Sequence, residues 1–515
     1  MDNLAEKWKK LTFHGFRQEE YAKKHVSWEN AARLLLEILL EGLNCGLVAD
    51  TAAGKTIIAL LAIYALGKRV LFLTPQRLLA EQHHDLTGKM DGDDFNSRII
   101  HGHTGRKKRI WNDPADRIVF ATPHVVMEDI RKGLFGFQDF QIVVFDEMHR
   151  ATGDYPYVPL AKLVNENGLQ IFGLTASPGW KLEKVGPVRN NLFLNKFFEV
   201  NVETPKKIED IVLAETDDNL KEIENIFRRL LLELAREISA MGIEMDQEEL
   251  THMRIFQSIE KELKIKHKYR GAYLAAKYRK LYHAYFITLT ESYGTVLEYL
   301  GRMKREDGSV AAREIVLDKR VWQLATIAKN NCHPKVERFF EILATLKNRQ
   351  KNALIFFSQK TTARALAELL KEKGWRIELL FGSRDKNIKH QKVVLQKIAD
   401  REIDFVFATS VAEEGLSVPE IDTVIHYSMP PTEISLIQRS GRTGRMKKGH
   451  VIFLTINHPL DRIFYFAAKA KVKKMRQLIK DGLLERETMP IPRRKSKKQE
   501  DYLTLPLFKS PTEPS

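Results

Sequence analysis

The stretch Cys45-Gly-Leu-Val-Ala-Asp-Thr-Ala-Ala-Gly-Lys-Thr56, running into the apolar segment Ile57 to Leu66, decides the fold class. A short apolar strand enters a turn that ends in Gly-Lys-Thr and opens a helix, which is the context a phosphate-binding loop requires. Backbone N–H groups at such a helix start face anionic oxygens, Lys55 reaches the terminal phosphates, and the Thr56 hydroxyl is offered to Mg²⁺. Thr51, Ala52, Ala53 and Gly54 form the turn itself. Taken alone, the stretch also fits a chance Gly-Lys-Thr, because Ala49 and Ala52 stand where such loops often carry glycine. The residues downstream separate the two readings.

The apolar run Ile142-Val-Val-Phe145 ends in Asp146-Glu147-Met148-His149. A carboxylate pair at the C-terminal end of a parallel strand sits beside the phosphate loop, so Asp146 is expected to hold Mg²⁺ and Glu147 to polarise the attacking water. Thr175-Ala-Ser-Pro178 follows another apolar strand. Far downstream, Gln438-Arg-Ser-Gly-Arg-Thr-Gly-Arg445 puts Arg442 and Arg445 one turn apart, where they could project onto the phosphates of a nucleotide held by the first domain. A basic surface turn would also carry such arginines, but it has no need of the preceding Thr409-Ser-Val-Ala-Glu-Glu-Gly-Leu-Ser-Val-Pro419.

Further outward, β-branched and apolar runs alternate with helix-length segments, which reads as βα units around a parallel sheet. The runs are Cys45 to Val48, Val70 to Leu73, Ile118 to Phe120, Ile142 to Phe145 and Ile171 to Leu174. Near residue 205 that rhythm gives way to long helical patterns, and strand-like runs return at Ala353 to Phe357, Ile377 to Leu380, Asp404 to Phe407, Thr423 to His426 and Val451 to Leu454. The expectation is an α/β chain of two parallel-sheet domains, 1–204 and 333–484, with an all-helical domain, 205–332, between them. Residues 485–515, with RRKSKKQ and several prolines, read as a flexible basic tail.

Composition agrees. At 515 residues, with 43% hydrophobic and 29% charged residues, the chain is multidomain and globular rather than disordered. The run Ile57 to Leu66 is about half the roughly 20 residues a membrane helix needs, and the N-terminus lacks the apolar core of a signal peptide, so a soluble, cytoplasmic protein is expected. Two cysteines, Cys45 and Cys332, support neither a disulfide framework nor a zinc site. A net charge of +16 points to polyanionic partners, nucleic acid ahead of an anionic membrane. Residues 251–320 alone carry a net +7. Among those lysines, Tyr269, Tyr273, Tyr278, Tyr282 and Tyr285 recur near helical spacing, a stripe that reads as core sooner than as a base-stacking platform.

Together these residues resemble the superfamily 2 helicases, ATP-driven motors made of two RecA-like domains. ADTAAGKT is similar to motif I, LTPQRLLAEQ (73–82) to Ia, ATPHVV (121–126) to Ib, DEMH to II, TASP to III and QRSGRTGR to VI, in the family's order. DEMHRATGDYPYV (146–158), the helical block and ATSVAEEGLSVPEIDTVIHY (408–427) resemble the helicase part of archaeal Hef and its eukaryotic relative, the Fanconi anaemia M protein. The resemblance implies ATP and Mg²⁺ as cofactors, Lys55, Asp146, Glu147, Gln438, Arg442 and Arg445 as catalytic residues, and Gln18 as an adenine reader. It implies coupling through His149, Thr175, Ser177 and Gly415, and nucleic-acid contacts at Pro75, Arg77, Thr122, Ser358 and Thr409. In Hef-like proteins the inserted block resembles a polymerase thumb that grips branched DNA; here that role would fall to Lys264, Lys266, Lys268 and Arg270.

Ser417 departs from the family, standing where Hef-like sequences usually have the aspartate of GLDVP, and no ERKxxxD nuclease signature follows, so no DNA cleavage is expected. In the tail, YLTLPLF (502–508) is weakly similar to a sliding-clamp docking peptide. The function expected is an ATP-dependent DNA helicase or translocase acting on forked or branched DNA in repair or stalled-fork processing. A separate nuclease or a sliding clamp would be its protein partner, and a prokaryotic protein would associate with the nucleoid. Two rivals stand beside it: a duplex-RNA-dependent ATPase, and a nucleic-acid scaffold that recruits a nuclease.

Overall fold

A computed structural model describes residues 8, 12–13, 18–91, 95–179, 181–200, 202, 207–243, 268–381, 388–409, 421–430, 432–443 and 449–480. A short antiparallel pair joins β1 (Thr12–Phe13) to β4 (Met90–Asp91). The first large sheet contains β2 (Cys45–Val48), β3 (Val70–Leu73), β5 (Ser97–Ile100), β6 (Ile118–Ala121), β7 (Ile142–Phe145), β8 (Gln170–Thr175) and β9 (Lys196–Glu199). Its order is β5-β6-β3-β7-β8-β2-β9, and all pairs are parallel.

Parallel strands covered by helices on both sides need apolar residues at every position, which is why CGLV, VLFL, IVFA and IVVF are buried throughout. Alternate residues serve opposite faces. Leu47, Phe72, Phe120 and Val144 pack with the helices Gln18–Leu40 and Lys55–Leu66, whereas Val48, Leu73, Val119 and Phe145 pack on the other face with Leu160, Val164 and Val188.

The second sheet holds β10 (Ile208–Ala214), β11 (Ala353–Phe356), β12 (Ile377–Leu380), β13 (Phe405–Ala408), β14 (Thr423–His426) and β15 (His450–Ile456), in the order β10-β15-β14-β11-β13-β12, again all parallel. The expected boundary at 205 therefore misses a strand: Ile208–Ala214 pairs along its whole length with β15 and belongs to the second sheet. Ser97–Ile100 and Lys196–Glu199, also outside the expected strands, are edge strands of the first sheet.

Between β10 and β11 the chain forms the helical block, whose described helices are Asp218–Ser239, Lys268–Thr290, Tyr293–Glu306, Val310–Leu317 and Lys319–Asn330. Side-chain caps start four of them: the Asp217, Ser292, Ser309 and Asp318 side chains accept from the backbone N–H of Leu220, Thr295, Ala312 and Arg320. Tyr278, Tyr282 and Tyr285 are buried in the block's core and Tyr269 is exposed, so most of the tyrosine stripe packs, as its spacing implies. That core continues into the second lobe through Ala214, Ile456 and Leu460.

A buried polar junction reinforces the join. Ser428 and Thr362 donate to the Glu291 carboxylate at 2.8 and 3.2 Å, and Lys335 Nζ donates to Asp461 Oδ2 at 2.9 Å and to the Thr290 carbonyl at 2.7 Å. Among the described residues, no helix is long and apolar enough to cross a membrane. Cys45 is buried in β2 and Cys332 is exposed, and neither is in a disulfide.

Candidate nucleotide site between the two lobes

Because every strand of the first sheet is parallel, the loops after β2, β3, β6, β7 and β8 emerge on one edge. The chain passes from β2 to β3 across the positions of β8 and β7, a reversal of order of the kind that leaves a crevice for a ligand. Thr51–Ala53 make a single 3-10 turn there, and Gly54, at φ +80°, starts the helix Lys55–Leu66. Gly54 is required twice over: its backbone is left-handed, and a Cβ there would lie 2.7 Å from Trp28 Nε1. The Trp28 indole N–H donates to the Ala53 carbonyl at 2.8 Å, so the first long helix braces the loop from beneath.

Lys55 Nζ, nearly buried, donates to the Ala49 carbonyl at 3.1 Å and sits 3.5 Å from that of Asp50. Burial pulls the Lys55 pKa below the ordinary lysine value, against the charges of Glu147, Asp146 and Asp50 and with that of Arg442. An ammonium hydrogen-bonded to loop carbonyls is poised for stronger anionic acceptors such as phosphate oxygens.

Asp146 and Glu147 follow β7. The Asp146 carboxylate accepts from His83 Nε2 at 3.0 Å and from the Glu147 N–H at 3.0 Å, and its carbonyl accepts from the buried Tyr157 hydroxyl at 2.8 Å. Glu147 adopts φ +49°, unusual for a side chain of its size and a form of strain that gathers at functional sites. Its Oε2 is buried with no hydrogen-bond donor among the described residues, 3.3 Å from His149 Nδ1. His149 Nδ1 also lies 3.0 Å from Thr175 Oγ1, which in turn hydrogen-bonds the Ser177 backbone. His149, Thr175 and Ser177 are thus brought together behind the carboxylates.

A Mg²⁺ ion fits this donor set. Mg²⁺ is typically held by one or two carboxylates together with substrate phosphates and waters, and here one nearly sealed carboxylate, Asp146, faces the loop that carries Thr56 and Lys55. Among the described residues, no group of three or more His, Cys, Asp or Glu forms an independent metal site.

The second lobe closes the crevice. Gln438 and Arg442 are buried at and just beyond the end of the helix Glu433–Ser440, and the Thr443 hydroxyl anchors the following turn on the Ile421 carbonyl at 2.6 Å. Thr51 Oγ1 donates to the Ile437 carbonyl at 3.4 Å. Ala176, Ile437 and Met475 form an apolar contact, and Arg476, on the helix Pro459–Lys480, reaches the Asp50 carboxylate at 3.3 Å. Lys55, Asp146, Glu147 and Arg442 therefore lie within electrostatic reach of one another.

Of the residues expected to touch nucleic acid, Pro75 and Arg77 follow β3, Thr122 follows β6, Ser358 follows β11 and Thr409 follows β13, each at a C-terminal strand end. Ser358 is exposed, Pro75, Arg77 and Thr122 are half-buried, and Thr409 is buried. Arg77 donates to Glu81 at 2.7 Å. Arg270 is exposed, 3.7 Å from Glu237. Lys264, Lys266, Gly415 and Arg445, and the side chains of Gln18, Ala52 and Lys268, lie outside the described residues. Trp28, His83, Tyr157 and Arg476 are parts of the site that the sequence reading did not single out.

Comparison with known proteins agrees with this geometry. The DEAD/DEAH box helicase family matches residues 30–185, and the helicase conserved C-terminal domain matches residues 334–447. The chain is 27% identical over 461 residues to the Methanocaldococcus jannaschii protein MJ1505, whose name assigns it to the ATP-dependent RNA helicases, covering 84% of this chain and 58% of that one. It is 25% identical over 499 residues to the ATP-dependent DNA helicase mph1 of Aspergillus terreus, covering 85% of this chain and 45% of that one. The chain thus spans about half the length of the curated relatives it matches. The crystal structure of the Pyrococcus furiosus Hef helicase domain superposes with a TM-score of 0.60 at 28% identity, over 85% of this chain and 97% of that one. With both helicase domains matched in order and two RecA-like sheets facing one crevice, the chain belongs to the superfamily 2 helicases.

Proposed function

We propose that the chain is an ATP-driven translocase or helicase that works on DNA, with forked or branched DNA as its preferred substrate. The observation that carries this reading is the convergence of Lys55, Asp146, Glu147 and Arg442, contributed by both lobes, on one crevice. Lys55 and the loop amides would hold the terminal phosphates, with Thr56 and Asp146 holding Mg²⁺, which neutralises charge on the phosphates when bound. Glu147 would orient the attacking water, with His149 Nδ1 3.3 Å from its Oε2. Arg442, joined by Gln438 and Arg445, would meet the phosphates when the lobes close. The His149–Thr175–Ser177 chain would report the phosphate state to the strand end.

Likeness to the DNA helicase mph1 and to the Hef helicase domain supports DNA, and the basic helical block supports a grip on phosphates rather than on bases. Likeness to a protein named as an RNA helicase favours duplex RNA as the second reading.

The test is a titration of ATP hydrolysis against single-stranded, duplex, forked and four-way-junction DNA and duplex RNA. Forked DNA should stimulate most. Stimulation by duplex RNA above any DNA would replace the first reading with the second, and no hydrolysis with any of them would leave only a binding scaffold.

A further inference from the structure

We propose that His83 is a positioning residue of the ATP site, holding the Asp146 carboxylate in the orientation that meets Mg²⁺. The inference rests on reading Asp146 as the metal carboxylate. His83 Nε2 lies 3.0 Å from Asp146 Oδ2, and both side chains are nearly sealed from solvent, at 7% and 4% exposure for the whole residues. An ionised carboxylate only accepts hydrogen bonds, so Nε2 carries the proton and the imidazole is the donor. The ring itself is fixed by Phe72 and Phe120, with centroids at 5.4 and 6.1 Å, from the neighbouring strands β3 and β6.

The backbone of Asp146 is set independently, by the Tyr157 hydroxyl on its carbonyl and by its own N–H on the Leu73 carbonyl at 2.9 Å. Those bonds leave the side-chain torsions free. Two donors remove that freedom: the Glu147 N–H takes Oδ1 and His83 takes Oδ2. Only His83 comes from outside the turn, on the helix Arg77–Thr87 that packs against β5 and β6. Outer partners of this kind, which orient a ligand without touching the metal, commonly govern metal affinity by about 10–100-fold. The same helix begins at Arg77, one of the residues expected to contact nucleic acid, so the donor and that contact move as one rigid piece less than two turns long.

A merely structural His83 would act through its ring, packed on Phe72 and Phe120. His83→Phe keeps the ring and loses the donor; His83→Gln keeps a donor and loses the ring. Mn²⁺ binding to the full chain, followed by electron paramagnetic resonance with a non-hydrolysable ATP analogue present, separates the two. The positioning role predicts Mn²⁺ affinity about tenfold weaker in His83→Phe, near wild type in His83→Gln, and metal-free nucleotide affinity unchanged in both. Wild-type Mn²⁺ affinity in His83→Phe, or a loss in His83→Gln as large as in His83→Phe, overturns it. If His83→Phe melts below the assay temperature, His83→Leu serves as the donor-free variant. Asp146→Asn is the control for the underlying reading: it should lose Mn²⁺ binding, and unimpaired binding there would show that Asp146 is not the metal carboxylate, a failure distinct from that of His83.

Discussion

Gly441 follows the helix Glu433–Ser440 at the point where the second lobe touches the phosphate loop. Its φ of −76° suits any residue, and within its own segment a Cβ there meets only the Ile437 carbonyl oxygen, at 3.1 Å. The cost is across the crevice. A Cβ on residue 441 would stand 2.5 Å from Thr51 Cβ and 3.0 Å from Thr51 Oγ1, where carbon atoms ordinarily approach to about 3.5 Å. Gly441→Ala must therefore part the lobes by about 1 Å beside Lys55, shifting Arg442, one residue on, by a similar amount. A misplacement of about 1 Å can cost about 10²-fold in rate, equivalent to about 2.7 kcal/mol. Steady-state ATP hydrolysis should fall accordingly, while binding of a fluorescent nucleotide, dominated by the first lobe, and the melting temperature change little. Adding Thr51→Gly, which removes the opposing atoms, should restore at least about tenfold. A Gly441→Ala variant that turns over within about threefold of wild type would refute contact between the lobes as the limit on closure.

Lys55→Ala should abolish turnover and weaken nucleotide binding, whereas Glu147→Gln should bind nucleotide normally and lose about 10²-fold or more in turnover; near-normal hydrolysis in Glu147→Gln would remove that residue from the chemistry. Trp28→Phe keeps bulk beneath Gly54 but loses the indole donor to Ala53, a loss of about 1 kcal/mol that should appear as roughly fivefold weaker nucleotide binding; unchanged affinity would show that the brace is packing alone. Burial pushes the Glu291 carboxyl up to about 7, against the Lys335 charge and the bonds from Ser428 and Thr362. A folded value above the ordinary 4.5 means that its favourable contribution is complete below about pH 4.5 and is lost as pH rises through about 7. Glu291→Gln cannot ionise, so its stability relative to wild type should rise between pH 5 and pH 8 by an amount on the order of 3 kcal/mol, read by denaturant unfolding at the two values; a pH-independent difference would show that Glu291 does not titrate in this range.

The central strands were legible because two-sided burial forces an apolar residue at each position, leaving runs such as IVVF and VLFL that nothing else explains. The phosphate loop and the DEMH turn were legible for a different reason: their chemistry is local, so consecutive residues carry it. Of the four edge strands of the two large sheets, β12 keeps a legible run, IELL, whereas β5, β9 and β10 lack both signals. In IEDIVLA Glu209 and Asp210 are exposed on opposite faces of the edge strand, where they pair with Lys469 and His450, and such charges read as loop or helix surface until the partner strand is known. His83 was illegible because a histidine on a helix that buries Leu78, Ala80 and Leu86 reads as one more core residue. Its meaning comes from the sheet, which sets β3 beside β7 and so brings residue 83 to residue 146. Trp28 and Tyr157 were missed on the same ground, since each acts on a backbone carbonyl that no side-chain motif advertises.

The pairing of β10 with β15 also fixes an order of events in synthesis. Ile208–Ala214 leaves the ribosome about 240 residues ahead of the strand it must join. At roughly 5–20 residues per second, that is a wait of about 12–50 s with both edges of the strand unpaired. The helical block emerges within the interval, and its core includes Ala214, so the nascent strand has an apolar neighbour to rest against before its partner exists. The exposed charges of Glu209 and Asp210 discourage pairing with a neighbouring chain during the same interval.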